Sequence, residues 1–186
     1  MSQRNNTTFG ILESQDIIKA VEFAKQKGFK EENIAIIGNS LGGISLLLSA
    51  EKLNGIGAMV IDSAAATLEP SVKQILQIEN NVPAIFNPGI FFILKEIYGV
   101  NVAEVRPIDH VSRVPDRTFL FLHGGKDTTI PVENSKQLLK ASNSNSKLVI
   151  FENGYHIETF KTDPKKYLDA VMSFLEQKIN SQKSLR

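Results

Sequence analysis

The sequence predicts an α/β protein built on a mostly parallel sheet of about four strands flanked by helices, and three observations carry that expectation. Residues 34–37, 58–61, 118–122 and 148–151 are short, nearly all-apolar runs, the pattern of strands buried on both faces of a parallel sheet. Helix-like stretches separate these runs, so strand and helix alternate along the chain. A length of 186 residues, 42% of them hydrophobic, supplies a real core for a single domain over residues 1–186.

Each element has its own signal. Residues 13–27 place Ile17, Ile18, Val21 and Ala24 near helical spacing, and Gly28 stands where a helix stop is expected. The first strand, 34–37, leads into Gly38-Asn39-Ser40-Leu41-Gly42, and a helix is expected over 41–53. After the second strand comes a long insert, 64–117, in which 72–78 and 89–98 look helical and Phe86, Phe91 and Phe92 concentrate apolar surface. It reads as a helical lid or cap. The third strand is followed by a helix over 132–141, and the fourth by a helix over 164–178, where Pro164 suits a first turn behind Asp163 as cap. Residues 142–146 read as a loop and 182–186 as a frayed basic tail.

Charged residues make up 22% of the chain and the net charge is +1, which implies no nucleic-acid or other polyanion partner. The absence of cysteine excludes disulfides, thiolate metal sites and sulfur nucleophiles together. The opening eight residues lack the apolar centre of a secretory signal, and no run approaches the roughly 18 apolar residues of a membrane span. A cytoplasmic protein is expected.

Gly38 to Gly42 carries the G-x-S-x-G pattern between a strand and a helix, the context a nucleophile elbow requires. The pattern by itself is weak; its flanking elements strengthen it. A serine hydroxyl is a poor nucleophile unless a base takes its proton and an anion orients that base. Asp127 follows the third strand and His156 the fourth, each in a loop beyond a strand's carboxyl end, where sites form in open parallel sheets. The bland readings are a turn serine capping its helix, a turn aspartate bonding its own loop and a satisfied histidine. Asp62, at the end of the second strand, is a rival acid. His110 lies in the insert, and His123, ahead of Asp127, is expected to be structural and to position the loop. Three dispersed histidines without cysteine give no basis for a catalytic zinc, and no cofactor is called for. Nucleotide binding is set aside because 38–43 has neither G-x-G-x-x-G nor the P-loop lysine.

In chain order Ser, Asp, His, these residues resemble an α/β-hydrolase of the dienelactone-hydrolase and serine-peptidase-like esterase kind. The likeness is to its carboxyl-terminal two-thirds and runs from Thr7-Thr8-Phe9-Gly10 to the final helix. It implies Ser40 as nucleophile, His156 as general base and later acid, Asp127 as orienting carboxylate and the Leu41 amide as one oxyanion donor. The reaction implied is two-step hydrolysis of a small-molecule ester through an acyl-enzyme. Phe86, Phe91 and Phe92 then either pack the insert onto the body or wall an acyl-binding pocket.

The sequence departs from that family in one region. The second oxyanion donor of such enzymes comes from a loop upstream of the nucleophile, and no strand or loop of that kind precedes Ser40. The fold expected is therefore an incomplete α/β-hydrolase with the amino-terminal strands absent and residues 34–37 at an edge. An apolar edge invites pairing with another chain. The chain is then a fragment of a longer hydrolase, a homodimer joined through that edge, or a folded remnant without activity. A serine peptidase is the rival within the enzyme class, and a non-catalytic interaction scaffold the rival outside it.

Overall fold

A computed structural model describes residues 7–183 of the protein, with side chains to residue 178. In chain order the chief elements are α1 (Glu13–Gln26), β1 (Ala35–Asn39), α2 (Leu41–Ser49), β2 (Ala58–Asp62), α3 (Leu68–Gln74), α4 (Asn87–Tyr98), α5 (Pro107–Ser112), β3 (Phe119–Gly124), α6 (Glu133–Ala141), β4 (Lys147–Phe151), α7 (Thr159–Thr162) and α8 (Pro164–Lys183). The four strands form one parallel sheet in the order β1-β2-β3-β4, with Ala35 opposite Ala58, Met59 opposite Phe119 and Leu120 opposite Lys147. Residues 1–6 of the opening segment lie outside the described residues, as does the tail from 184; residues 182 and 183 continue α8.

Strand periodicity splits the core in two. Met59, Ile61, Phe119 and Phe121 point to one face, where Leu46 and Leu47 of α2, Val111 of α5 and Leu138 of α6 cover them. Val60, Leu120, Leu122 and Phe151 point to the other, against Val171 and Phe174 of α8. Each central strand is thus buried on both sides, which is why its sequence is apolar without alternation.

β1 behaves differently. Ile36 packs against the larger core, while Ile37, in register with Val60 on the α8 side, stays 47% exposed. Ala35 and Asn39 are exposed as well. The strand is one edge of the sheet and its outer face is uncovered among the described residues.

Several element bounds differ from the sequence expectation for physical reasons. The helix expected over 41–53 ends at Ser49 and tightens into a 3-10 turn, Ala50–Lys52. Ser45 and Ser49 hydroxyls bond back to the Leu41 and Leu46 carbonyls, and the Arg117 guanidinium takes over the carbonyls of Leu53 (2.5 Å) and Ile56 (3.3 Å). In the insert, α3 begins at Leu68 and passes into a π-helical turn, Ile75–Glu79. α5 has Pro107 at its first turn, a signal present in the sequence but short of a full helical period. The Asp163 cap is as expected, its carboxylate accepting the Lys166 amide at 2.9 Å. Among the described residues no helix is long and apolar enough to cross a membrane.

Candidate active site

Ser40 sits between β1 and α2 with φ 48° and ψ −116°, a conformation that non-glycine residues rarely adopt. Two backbone bonds hold it there: its amide donates to the Asp62 carbonyl of β2 (2.8 Å), and its carbonyl accepts the Ile44 amide (3.0 Å). The turn closes only because Gly38 has no side chain, since a Cβ there would lie 2.6 Å from the Gly42 carbonyl oxygen. Leu41 is the first residue of α2, so its amide has no partner inside the helix and points with the positive end of the helix dipole.

The loops after β3 and β4 meet beyond the strand ends. The Gly125 amide donates to Phe151 and the Lys126 amide to Gly154, and a Cβ on Gly124 would lie 2.4 Å from the Gly154 oxygen. This contact carries Asp127 and His156 together. His156 Nδ1 lies 2.8 Å from Asp127 Oδ2, and His156 Nε2 lies 2.9 Å from Ser40 Oγ. A carboxylate only accepts, so Nδ1 carries the proton and Nε2 presents its lone pair to the serine hydroxyl. The histidine side chain is 20% exposed and the Asp127 side chain is fully buried.

Asp127 is held from three sides. Its Oδ1 accepts the Ile130 amide at 2.8 Å, and its Oδ2 lies 3.3 Å from His123 Nε2 besides the bond from His156. Burial by itself pushes the carboxyl up, but the hydrogen bonds from His123, His156 and Ile130 outweigh it and hold the group ionised, with a pKa of about 2. His123 is the buried structural residue the sequence suggested. Its Nε2 donates to the Ile130 carbonyl (2.7 Å), so Nδ1 is the acceptor, taking the Ser135 hydroxyl at 2.6 Å.

Asp62, the rival acid, is elsewhere engaged. Its carboxylate accepts hydroxyls from Ser63 (2.9 Å) and Thr159, and burial pushes its pKa up. His110 lies against Glu51 at 2.7 Å, on α5. Of the insert phenylalanines, Phe91 is half-buried against the larger core with Lys73 Nζ 5.8 Å above its ring. Phe86 and Phe92 are 58% and 66% exposed, and none of the three joins the Ser40–His156–Asp127 chain of hydrogen bonds. The insert instead reaches the site through two hydrogen bonds to the loop that carries Asp127, the Gln74 side-chain amide donating to the Thr128 carbonyl (2.5 Å) and the Thr129 hydroxyl to the Glu79 carboxylate. Sequence reading missed these, because neither residue belongs to a pattern.

Four parallel strands in one sheet, helices on both faces and a serine on the turn out of a strand define an α/β-hydrolase scaffold of the serine-hydrolase type. Within that class the chain belongs to the prolyl oligopeptidase family, whose sequence profile matches residues 3–182. The Bacillus subtilis protein YqkD is 28% identical over 173 residues, covering 91% of this chain and 56% of its own length. The chain therefore spans about half of that relative. Its fold resembles the Pyrococcus furiosus esterase Pf2001 (TM-score 0.72, 19% identity, 94% of this chain and 65% of the esterase). It also resembles the Pyrococcus horikoshii acylaminoacyl peptidase, with TM-score 0.69 and 20% identity over 91% of this chain and 28% of the peptidase.

Proposed function

We propose that the chain is a serine hydrolase that cleaves carboxylic esters through an acyl-enzyme. The observation that carries this reading is the unbroken line of hydrogen bonds from the strained Ser40 through His156 to a buried, ionised Asp127. Ser40 Oγ attacks the ester carbonyl carbon while His156 Nε2 takes its proton. Asp127 keeps its charge throughout, orienting the ring and stabilising the imidazolium. The carbonyl π electrons move to oxygen, where the Leu41 amide is one donor to the resulting oxyanion. Collapse breaks the bond to the alkoxy oxygen, which leaves as the alcohol with the proton from His156. Water then repeats the sequence on the acyl-enzyme, releasing the acid and free Ser40.

Such chemistry ordinarily uses two oxyanion donors, and losing one costs about 100 to 1,000-fold in turnover. Residues 7–39 contribute α1, a 3-10 turn and β1, and we assign no second donor among them. Full turnover then calls on a donor from chain outside these residues or from a second copy. The exposed rings of Phe86 and Phe92 are available to an acyl chain, whereas Phe91 is occupied by the core. A peptidase is the second reading, favoured by the family's name and by the likeness to the acylaminoacyl peptidase.

Intact-mass analysis after fluorophosphonate treatment tests the nucleophile without needing the right substrate. One adduct on the wild type and none on Ser40→Ala is expected. A folded wild type that takes no adduct would reduce the chain to a non-catalytic scaffold. Turnover of short-chain nitrophenyl esters against peptide anilides then separates esterase from peptidase.

A further inference from the structure

The loop that carries His156 has little burial of its own to hold it. Between Gly154 and Thr159, Tyr155 and Ile157 are 54% and 52% exposed, and Ile157 has a positive φ of 55°. Its near end is fixed by β4 and by the Gly124–Gly154 contact. Its far end is fixed by Thr159, the fully buried first residue of α7, whose hydroxyl donates to the Asp62 carboxylate. Asp62 is itself the residue whose backbone carbonyl accepts the Ser40 amide at 2.8 Å. One residue at the tip of β2 thus touches both halves of the site, through its main chain on the serine side and its side chain on the histidine side.

The surroundings make this joint rigid. Asp62 is 1% exposed, and its second oxygen accepts Ser63 Oγ at 2.9 Å. Ser63 is held at φ 53° with its amide on the Leu122 carbonyl of β3 (3.0 Å). Both carboxylate oxygens are therefore committed, and neither serves His156, whose Nδ1 donates to Asp127. A buried carboxylate that the hydrolytic steps never use has to be accounted for, because its burial is unfavourable unless its bonds matter.

We propose that Asp62 is a positioning residue that registers the His156 loop against the Ser40 turn, with Thr159 as the hydroxyl it holds. The consequence for chemistry rests on the serine-hydrolase reading; the tether itself does not. Without the Thr159 hydroxyl, residues 154–159 lose their far anchor and His156 Nε2 no longer stays within hydrogen-bond reach of Ser40. Misplacement on the scale of an ångström slows reactions of this kind by about 100-fold.

Two readouts on the full chain decide it: hydrogen–deuterium exchange of residues 153–160 and the rate of fluorophosphonate labelling at Ser40. Thr159→Val is isosteric and removes only the hydroxyl. It is expected to raise loop exchange and to slow labelling, each by about tenfold or more. Thr159→Ser keeps the donor and Asp62→Asn keeps an acceptor while discarding the charge, so both are expected to recover most of the loss. Loop exchange at the wild-type rate in Thr159→Val overturns the tether. A loosened loop with an unchanged labelling rate overturns the positioning role. A wild type that never labels overturns the hydrolase reading instead, and the exchange result still decides the tether.

Discussion

Replacing Asp127 by asparagine has a pH signature that follows from the bonds around its carboxylate. The group ionises at its ordinary 3.8 in the unfolded chain and at about 2 in the folded one. A depressed folded pKa means that the folded state is favoured wherever the unfolded carboxyl is ionised, above about pH 4, and that the advantage disappears as the pH falls through about 2. The difference amounts to about 2 kcal/mol at neutral pH. Asp127→Asn has no such group. Its loss at pH 7 is larger than the linkage value, because the side-chain NH2 then faces either the two imidazoles at the Oδ2 position or the Ile130 amide at the Oδ1 position, where an acceptor is required. Only the pH-dependent part is diagnostic. Glu13, whose carboxylate bonds Thr8 and Gly10 and also has a pKa of about 2, is common to both proteins and cancels in the comparison. Denaturant unfolding of both proteins from about pH 6 down to about pH 2 measures the gap between them. The gap should narrow by about 2 kcal/mol over that range, with most of the change below about pH 4. Parallel stability curves would refute the claim that His123, His156 and Ile130 hold Asp127 ionised.

Two further outcomes follow from the elbow and the edge. Gly38→Ala places a methyl 2.6 Å from the Gly42 oxygen, so it should destabilise the protein by about 1–3 kcal/mol and suppress Ser40 labelling; melting and adduct formation both at wild-type level would contradict the packing argument. β1 offers an unpaired edge with Ile37 exposed, so the chain should self-associate at high concentration and Ile37→Lys should shift it to monomer, whereas a strictly monomeric wild type by sedimentation would dispose of edge pairing.

The strands were legible because three of the four runs enter a sheet that is covered on both faces, and such burial leaves an apolar record in consecutive residues. The loops bearing Asp127 and His156 were legible for a related reason: parallel topology sends every strand's carboxyl end to the same side of the sheet. The sequence therefore determined the fold class and the order of elements, and it put Ser40, Asp127 and His156 beyond strand ends with Asp62 left open as a rival acid. It did not determine what lies around them. Apolar spacing marks Phe86, Phe91 and Phe92 alike, yet only packing decided that Phe91 enters the core and the other two face solvent. Asp62 ends β2 and Asp127 lies in the loop after β3, and the choice between them rests on which carboxylate His156 reaches across 29 residues of sequence and which one Thr159 reaches across 97. Hydrogen bonds between residues so far apart leave no local period to read, so the partners of a buried polar group belong to the tertiary structure alone.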